Sequence, residues 1–186
     1  MERPPSPDAA TLTDCLQTLG RLHRSVDELA SRLQQQHGAG LACKRGCSRC
    51  CVDELTVFTL EAEWLARHHP ELAELRPHPD GACALLSDEG DCRVYAHRPY
   101  VCRTQGLPLR WVQEEAPGEW VESRDLCELS DVGDLTALAP EAMWTLGPAE
   151  ALLAQLQQRA YGDESRVPLR SLVGPAQASP PRGDSP

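Results

Sequence analysis

Four cysteines fall within nine residues, in Cys43-Lys44-Arg45-Gly46-Cys47-Ser48-Arg49-Cys50-Cys51, and Cys83, Cys92, Cys102 and Cys127 follow. Thiolates are soft donors, and several close together select zinc, copper(I) or an iron–sulfur cluster. Cys47-x2-Cys50 has the spacing of a metal knuckle, and Cys43 adds a third donor about one tight turn earlier. Cys50 and Cys51 are adjacent, and neighbouring side chains of an extended backbone point to opposite sides. The pair is therefore expected to serve two centres. The expected metal ligands are Cys43, Cys47, Cys50, Cys51, Cys83, Cys92, Cys102 and Cys127, eight thiolates for two four-ligand sites. Zinc at two sites is the expected cofactor, with iron or an iron–sulfur cluster as the alternative, because both accept four thiolates.

The ninth cysteine belongs elsewhere. Leu12, Leu16, Leu19, Leu22, Val26, Leu29 and Leu33 recur at spacings of three and four, which predicts a long amphipathic helix over residues 9–36. Asp8 or Thr11 is placed to cap its start, and Gly38 and Gly40 end it. Cys15 lies on the same apolar stripe and is expected to be a core residue. A second helix is expected from Leu60 to His68 with Thr59 as N-cap, and another turn near residues 71–75. A strand–turn–strand is expected over 111–121, turning at Pro117-Gly118. A last helix begins at Pro148, packs through Leu152, Leu153, Leu156 and Ala160, and stops at Gly162. The fold expectation is mainly α: a small, irregular, metal-stapled domain with a long N-terminal helix and short β-hairpin elements. Its parts are a disordered arm over 1–8, a cysteine-cluster domain over 9–162 with a motif core at 41–130, and a polar, disordered tail over 163–186.

With 186 residues and only four Trp, three Tyr and one Phe, the core is modest, small enough for a metal to matter to folding. The net charge of −10 argues against a nucleic-acid partner and against an anionic membrane surface. Residues 1–8 hold no apolar run, and no segment is long and apolar enough to span a bilayer, so the expected location is the cytoplasm. There thiols stay reduced, which favours ligation over disulfides. Lys44, Arg45, Arg49, Arg93, Arg98 and Arg103 accompany the cysteines and are expected to favour their thiolate forms. His97 is a candidate substitute for a cysteine ligand, and His68-His69 reads as a helix-end cap. No Ser–His–Asp set, phosphate-cradling loop or carboxylate pair stands out, which leans away from an enzyme. The expected partners are metal ions and a docking protein.

Two blocks carry a resemblance. One is Cys43-x3-Cys47-x2-Cys50-Cys51. The other runs from Cys83-Ala84-Leu85-Leu86 through Gly90-Asp91-Cys92-Arg93-Val94-Tyr95-Ala96-His97-Arg98-Pro99-Tyr100-Val101-Cys102-Arg103, with Gly106-Leu107-Pro108 and Cys127-Glu128-Leu129 trailing. The pattern resembles the CxxCxxCC-type cysteine-cluster family, often called YkgJ-like, which is associated with zinc or iron chelation. It departs from that family at Cys83-Ala84, where Cys-Pro and an aromatic residue are usual. The resemblance implies metal binding by the cysteines and no defined reaction, with Tyr95 packed over the site and Arg98 hydrogen-bonding around it. Radical S-adenosylmethionine enzymes share the Cys43–Cys47–Cys50 spacing, and flagellin lysine methylases a similar cysteine pattern. Strands alternating with helices and a cofactor-binding Gly-rich turn are both missing here.

Overall fold

The structure is a computed structural model that describes residues 8–44 and 46–174. The expected arm (residues 1–7) and the end of the expected tail (175–186) lie outside the described residues. Helix α1 spans Ala9–His37, and the Asp8 carboxylate accepts from the Thr11 amide at 2.8 Å, satisfying one of its orphan donors. Its buried stripe runs Leu12, Cys15, Leu16, Leu19, Gly20, His23, Val26, Ala30 and Leu33. Cys15 is fully buried there, whereas Leu29, expected on the stripe, is 48% exposed. Gly20 takes the stripe's centre, because the Trp64 ring lies so close that a Cβ would meet it at 2.9 Å.

Helix α4 (Pro148–Tyr161) lies against α1 and turns out through Gly162 at φ 76°. Leu153, Leu156 and Ala160 join Leu12, Leu16, Leu19, Val26 and Leu33 in a first core, to which Leu60, Tyr100, Leu107 and Trp144 contribute. Leu152 is 36% exposed, and the inward position goes to Gln157 instead. That buried amide is used: its carbonyl oxygen accepts from the Leu60 backbone amide at 2.9 Å. Leu60 sits in the first turn of helix α2 (Thr59–His68), whose N-cap is Phe58, with no side-chain cap bond. Thr59 is therefore not the cap. It has become the first helical residue, and Gln157 fills the capping role from across the core.

A second core lies on the far side of α2. It gathers Val57, Ala62, Leu65, Leu72, Leu85, Leu86, Val94, Leu169 and Val173. Strand β1 (Thr56–Phe58) is completed from beyond the expected domain boundary, as it pairs antiparallel with β5 (Arg166–Pro168) in the register Val57↔Val167. A 3₁₀ turn over Leu169–Leu172 follows. The tail expectation is thus corrected for residues 163–174: polar composition hid Val167, Leu169, Leu172 and Val173, which are spaced to bury one side of an extended strap. Strands β2 (Leu109–Ala116) and β3 (Glu119–Asp125) form the expected hairpin, extended by a few residues, and β4 (Trp144–Thr145) adds to β2 in parallel. No helix among the described residues is long and apolar enough to cross a membrane.

Candidate metal centre

Each cysteine segment is anchored by bonds that do not involve sulfur. The chain leaves α1 through a 3₁₀ turn at Gly38–Gly40 and reaches Cys43. The segment carrying Cys127 is tied alongside: the Asp131 amide donates to the Gly40 carbonyl at 2.7 Å, and the Ala42 amide donates to Ser130 Oγ at 3.0 Å. Arg49 adds an ion pair to Glu128. Cys47 and Cys51 each close a turn, with their amides donating to the Lys44 and Ser48 carbonyls. The Cys83 amide donates to the Cys51 carbonyl at 2.9 Å, joining the two sequence blocks through their backbones. Cys92 sits on a tight hairpin bridged to Leu86, turning through Gly90 at φ 81°. Cys102 lies on the short helix α3 (Tyr100–Thr104). The buried Glu61 carboxylate accepts from the Tyr100 amide at 2.8 Å and so caps α3, because the N-cap is Pro99.

The result is one cavity of about 710 Å³, lined by Cys43, Cys47, Cys50, Cys51, Cys83, Cys92 and Cys102. Cys127 stands at its margin, close enough to Cys43 to raise its pKa. The wall at Cys43 is made by Gly106 at φ 85°, where any Cβ would collide with the Cys43 sulfur. Cys50 and Cys51 both face this cavity, contrary to the opposed directions expected. The reason is local: Cys51 closes a turn on Ser48, and alternation applies to extended chain. Leu169 of the C-terminal strap also lines the cavity. No spacing signal pointed to it, since it lies 42 residues beyond Cys127.

The electrostatics are those of crowded thiols. Burial raises Cys43, Cys83 and Cys92, and neighbouring cysteines add to each rise. Cys102 is pushed up to about 12, by burial first and then by Cys83, Cys92 and Cys50. Between Cys50 and Cys51 a shared hydrogen bond holds the proton on Cys51 and draws Cys50 below its ordinary value. A pocket of this kind resists filling with thiolates unless a cation enters with them, and ligation then expels the protons. The donor set thus fits a thiophilic ion. Among the described residues no three Cys, His, Asp or Glu side chains already stand in an arrangement that could hold a metal ion, so the thiols line the cavity and would have to close on an ion.

Several expected neighbours play other parts. Arg98 lowers the Cys92 pKa as expected, but its guanidinium also donates to the Tyr95 and Cys102 carbonyls and pairs with Asp27 of α1 at 3.4 Å. Arg103 pairs with the same Asp27 at 2.5 Å, and Arg93 donates to the Arg76 carbonyl. Tyr95 is 63% exposed at the cavity mouth, with Arg98 4.1 Å from its ring centroid, rather than packed over the site. His97 turns away from the sulfurs, and its Nδ1 lies 3.0 Å from His69 Nε2. Arg45 lies outside the described residues.

Residues 42–128 match the sequence profile of a family, CxxCxxCC, described as a "putative zinc- or iron-chelating domain". Over this segment the chain is similar to a CxxCxxCC domain. The match takes in all eight clustered cysteines and leaves α1, α4 and the C-terminal strap outside it. No curated protein and no solved structure matches the chain.

Proposed function

We propose that the chain is a metal-binding protein whose CxxCxxCC domain holds two zinc ions in closed, all-thiolate sites, with a structural, sensing or partner-docking role. The observation that carries this reading is the convergence of seven cysteines, from the segment 43–51 and from Cys83, Cys92 and Cys102, on one cavity, with the eighth close enough to act on Cys43. The neighbours that act on each thiol suggest how the set divides. Cys43 is influenced by Cys47, Cys50 and Cys127, whereas Cys102 is influenced by Cys83, Cys92 and Cys50, and Cys51 by Cys50, Cys83 and Cys102, so that Cys50 stands between the two sets. One site is therefore assigned to Cys43, Cys47 and Cys127 and the other to Cys51, Cys83, Cys92 and Cys102, with Cys50 given to the first because the second already has four donors. A four-thiolate ion has no open position for substrate, which favours binding over catalysis. Iron, or an iron–sulfur cluster, is the competing occupant. The same thiolate set accepts it.

Anaerobic purification with metal and sulfide analysis tests the assignment. Two zinc ions per colourless chain are expected, with one lost in Cys47→Ser and the other in Cys92→Ser, and both retained in Cys15→Ala. A brown protein carrying iron and inorganic sulfide moves the assignment to the cluster. Anaerobically prepared protein without bound metal overturns both readings.

A further inference from the structure

Four of the six histidines form one cluster with Trp64 where α2 ends. The Trp64 ring is 5.5 Å from that of His23 on α1 and 4.0 Å from that of His68. His97, which ends the 3₁₀ turn Tyr95–His97, stacks on His68 with centroids 4.2 Å apart and meets His69 edge-on at 5.0 Å. This is where the turn at the mouth of the sulfur cavity touches α2. Tyr95 and Arg98 line that mouth, and Arg98 donates to the Tyr95 and Cys102 carbonyls.

The hydrogen bonds fix where the protons are. His69 Nδ1 lies 3.0 Å from a Glu71 carboxylate oxygen, which accepts, so the proton is on Nδ1 and His69 Nε2 accepts from His97 Nδ1 across 3.0 Å. One added proton is accommodated: His69 Nε2 then donates, and His97 Nδ1 accepts once its own proton has moved to Nε2. A second is not. With both rings cationic every ring nitrogen carries a proton, so His69 Nε2 and His97 Nδ1 become two donors facing each other at hydrogen-bond distance. The surroundings give little relief. Arg103 of α3 and the neighbouring Arg98 are cations, and Asp27 of α1 is taken up by both of them. Glu61 of α2 lies by His23 and accepts from the Tyr100 amide, and Glu71 reaches only His69.

We propose that His69 and His97 form an acid-sensitive latch that ties the rim of the sulfur cavity to the end of α2, closed while at most one of the two rings is charged and released when both are. Release frees the Tyr95–His97 turn and loosens the mouth of the cavity, whatever the thiols hold. The direction with pH follows from His97. Burial first, and then His68, His69, Arg103 and His23, hold its pKa below the ordinary value in the closed form. A released ring returns to about 6.5 and binds the proton more readily. The latch is therefore at full strength above about pH 6.5 and weakens as pH falls through the depressed value.

Hydrogen exchange of untagged full-length protein, corrected for the intrinsic effect of pH, tests the latch at pH 7.5 and 5.5 together with the nitrogen shifts of the histidine rings. The Tyr95 and His97 amides, which donate to the Cys92 and Val94 carbonyls, are the reporters. Their protection is expected to fall at least tenfold on acidification, in step with the ring shifts of His69 and His97, while the amides of α1 keep theirs. His69→Gln does not titrate and can still hydrogen-bond to His97, so its reporters are expected to change less than twofold. If wild type keeps its protection at pH 5.5, the proposal is overturned. It is equally overturned if His69→Gln loses as much as wild type, because the acid response then belongs to the thiols or to His23. Should His69→Gln fold poorly, the exposed Glu71→Gln serves. It removes the carboxylate that favours a charged His69, so the midpoint of release is expected at lower pH, and an unmoved midpoint counts against the latch.

Discussion

At the scale of single residues, several buried polar side chains near the site have assigned work, and His23 is an exception. It is buried on the inner face of α1, edge-on to Trp64 with centroids 5.5 Å apart, and neither ring nitrogen has a hydrogen-bond partner. Glu61, the nearest carboxylate, lies 3.8 Å away and is already used by the Tyr100 amide. Burial is the main cause that depresses the His23 pKa, and Arg103 adds to it, while Glu61 and Asp27 oppose it. The sign follows from linkage. Above the unfolded value of about 6.5 both states are neutral and full stability is present. As pH falls, the unfolded chain gains a proton that the folded one refuses, so stability is lost down through the depressed folded pKa. The melting temperature of wild type is therefore expected to fall as pH drops below about 6.5, and that of His23→Leu to fall less over the same range. Equal slopes for the two proteins would mean that His23 is not the titrating group.

At the scale of elements, the two short helices nearest the sulfurs are finished by side chains from elsewhere: Gln157 of α4 caps α2, and Glu61 of α2 caps α3. Sequence reading found α2 but misassigned its cap, because a cap donated across the core leaves no local signal, and it did not find α3. The C-terminal strap was missed for a related reason. Its apolar residues are few and set among Arg, Ser, Gly and Pro, and only the partner strand β1 gives them a face to cover. Arg170 fastens the strap: it pairs with Asp53 at 2.5 Å and donates to the carbonyls of His78, Pro79 and Ala82, just before Cys83. Leu169, 2% exposed, plugs the second core and reaches the cysteine cavity. Leu169→Ala is expected to cost about 2–5 kcal/mol in denaturant unfolding, the range for truncating a buried leucine. A cost below about 1 kcal/mol would show the strap to be dispensable. By contrast, the long helix, the hairpin at Pro117-Gly118 and the final helix were legible. Each carries its own period and its own terminating residue, and needs no distant partner to be recognised.

At the scale of the whole molecule, the segment that bears the cysteines supplies most of the second core, but the first core is built mainly from chain outside it. Within 42–128 the first core receives only Leu60, Tyr100 and Leu107 as buried residues, while Leu12, Leu16, Leu19, Val26, Leu33, Leu153, Leu156 and Ala160 come from α1 and α4. The second core keeps Val57, Ala62, Leu65, Leu72, Leu85, Leu86 and Val94 but loses Leu169 and Val173 if the chain is cut at 128. Residues 42–128 alone would also expose β1 without its partner β5 and leave the Leu60 amide without Gln157. Ions bound as proposed would constrain the cysteine loops, but they would not supply the missing apolar contacts, and small domains have little stability to spare. The isolated fragment 42–128 is therefore expected to stay unfolded even with zinc present, with amide proton shifts collapsed into the random-coil range. Full-length protein under the same conditions is expected to show dispersed shifts and a melting temperature that drops on addition of chelator. A fragment that folds cooperatively with zinc would mean that ligation alone organises the cysteine loops, and that α1, α4 and the strap are additions to a self-sufficient metal module rather than its framework.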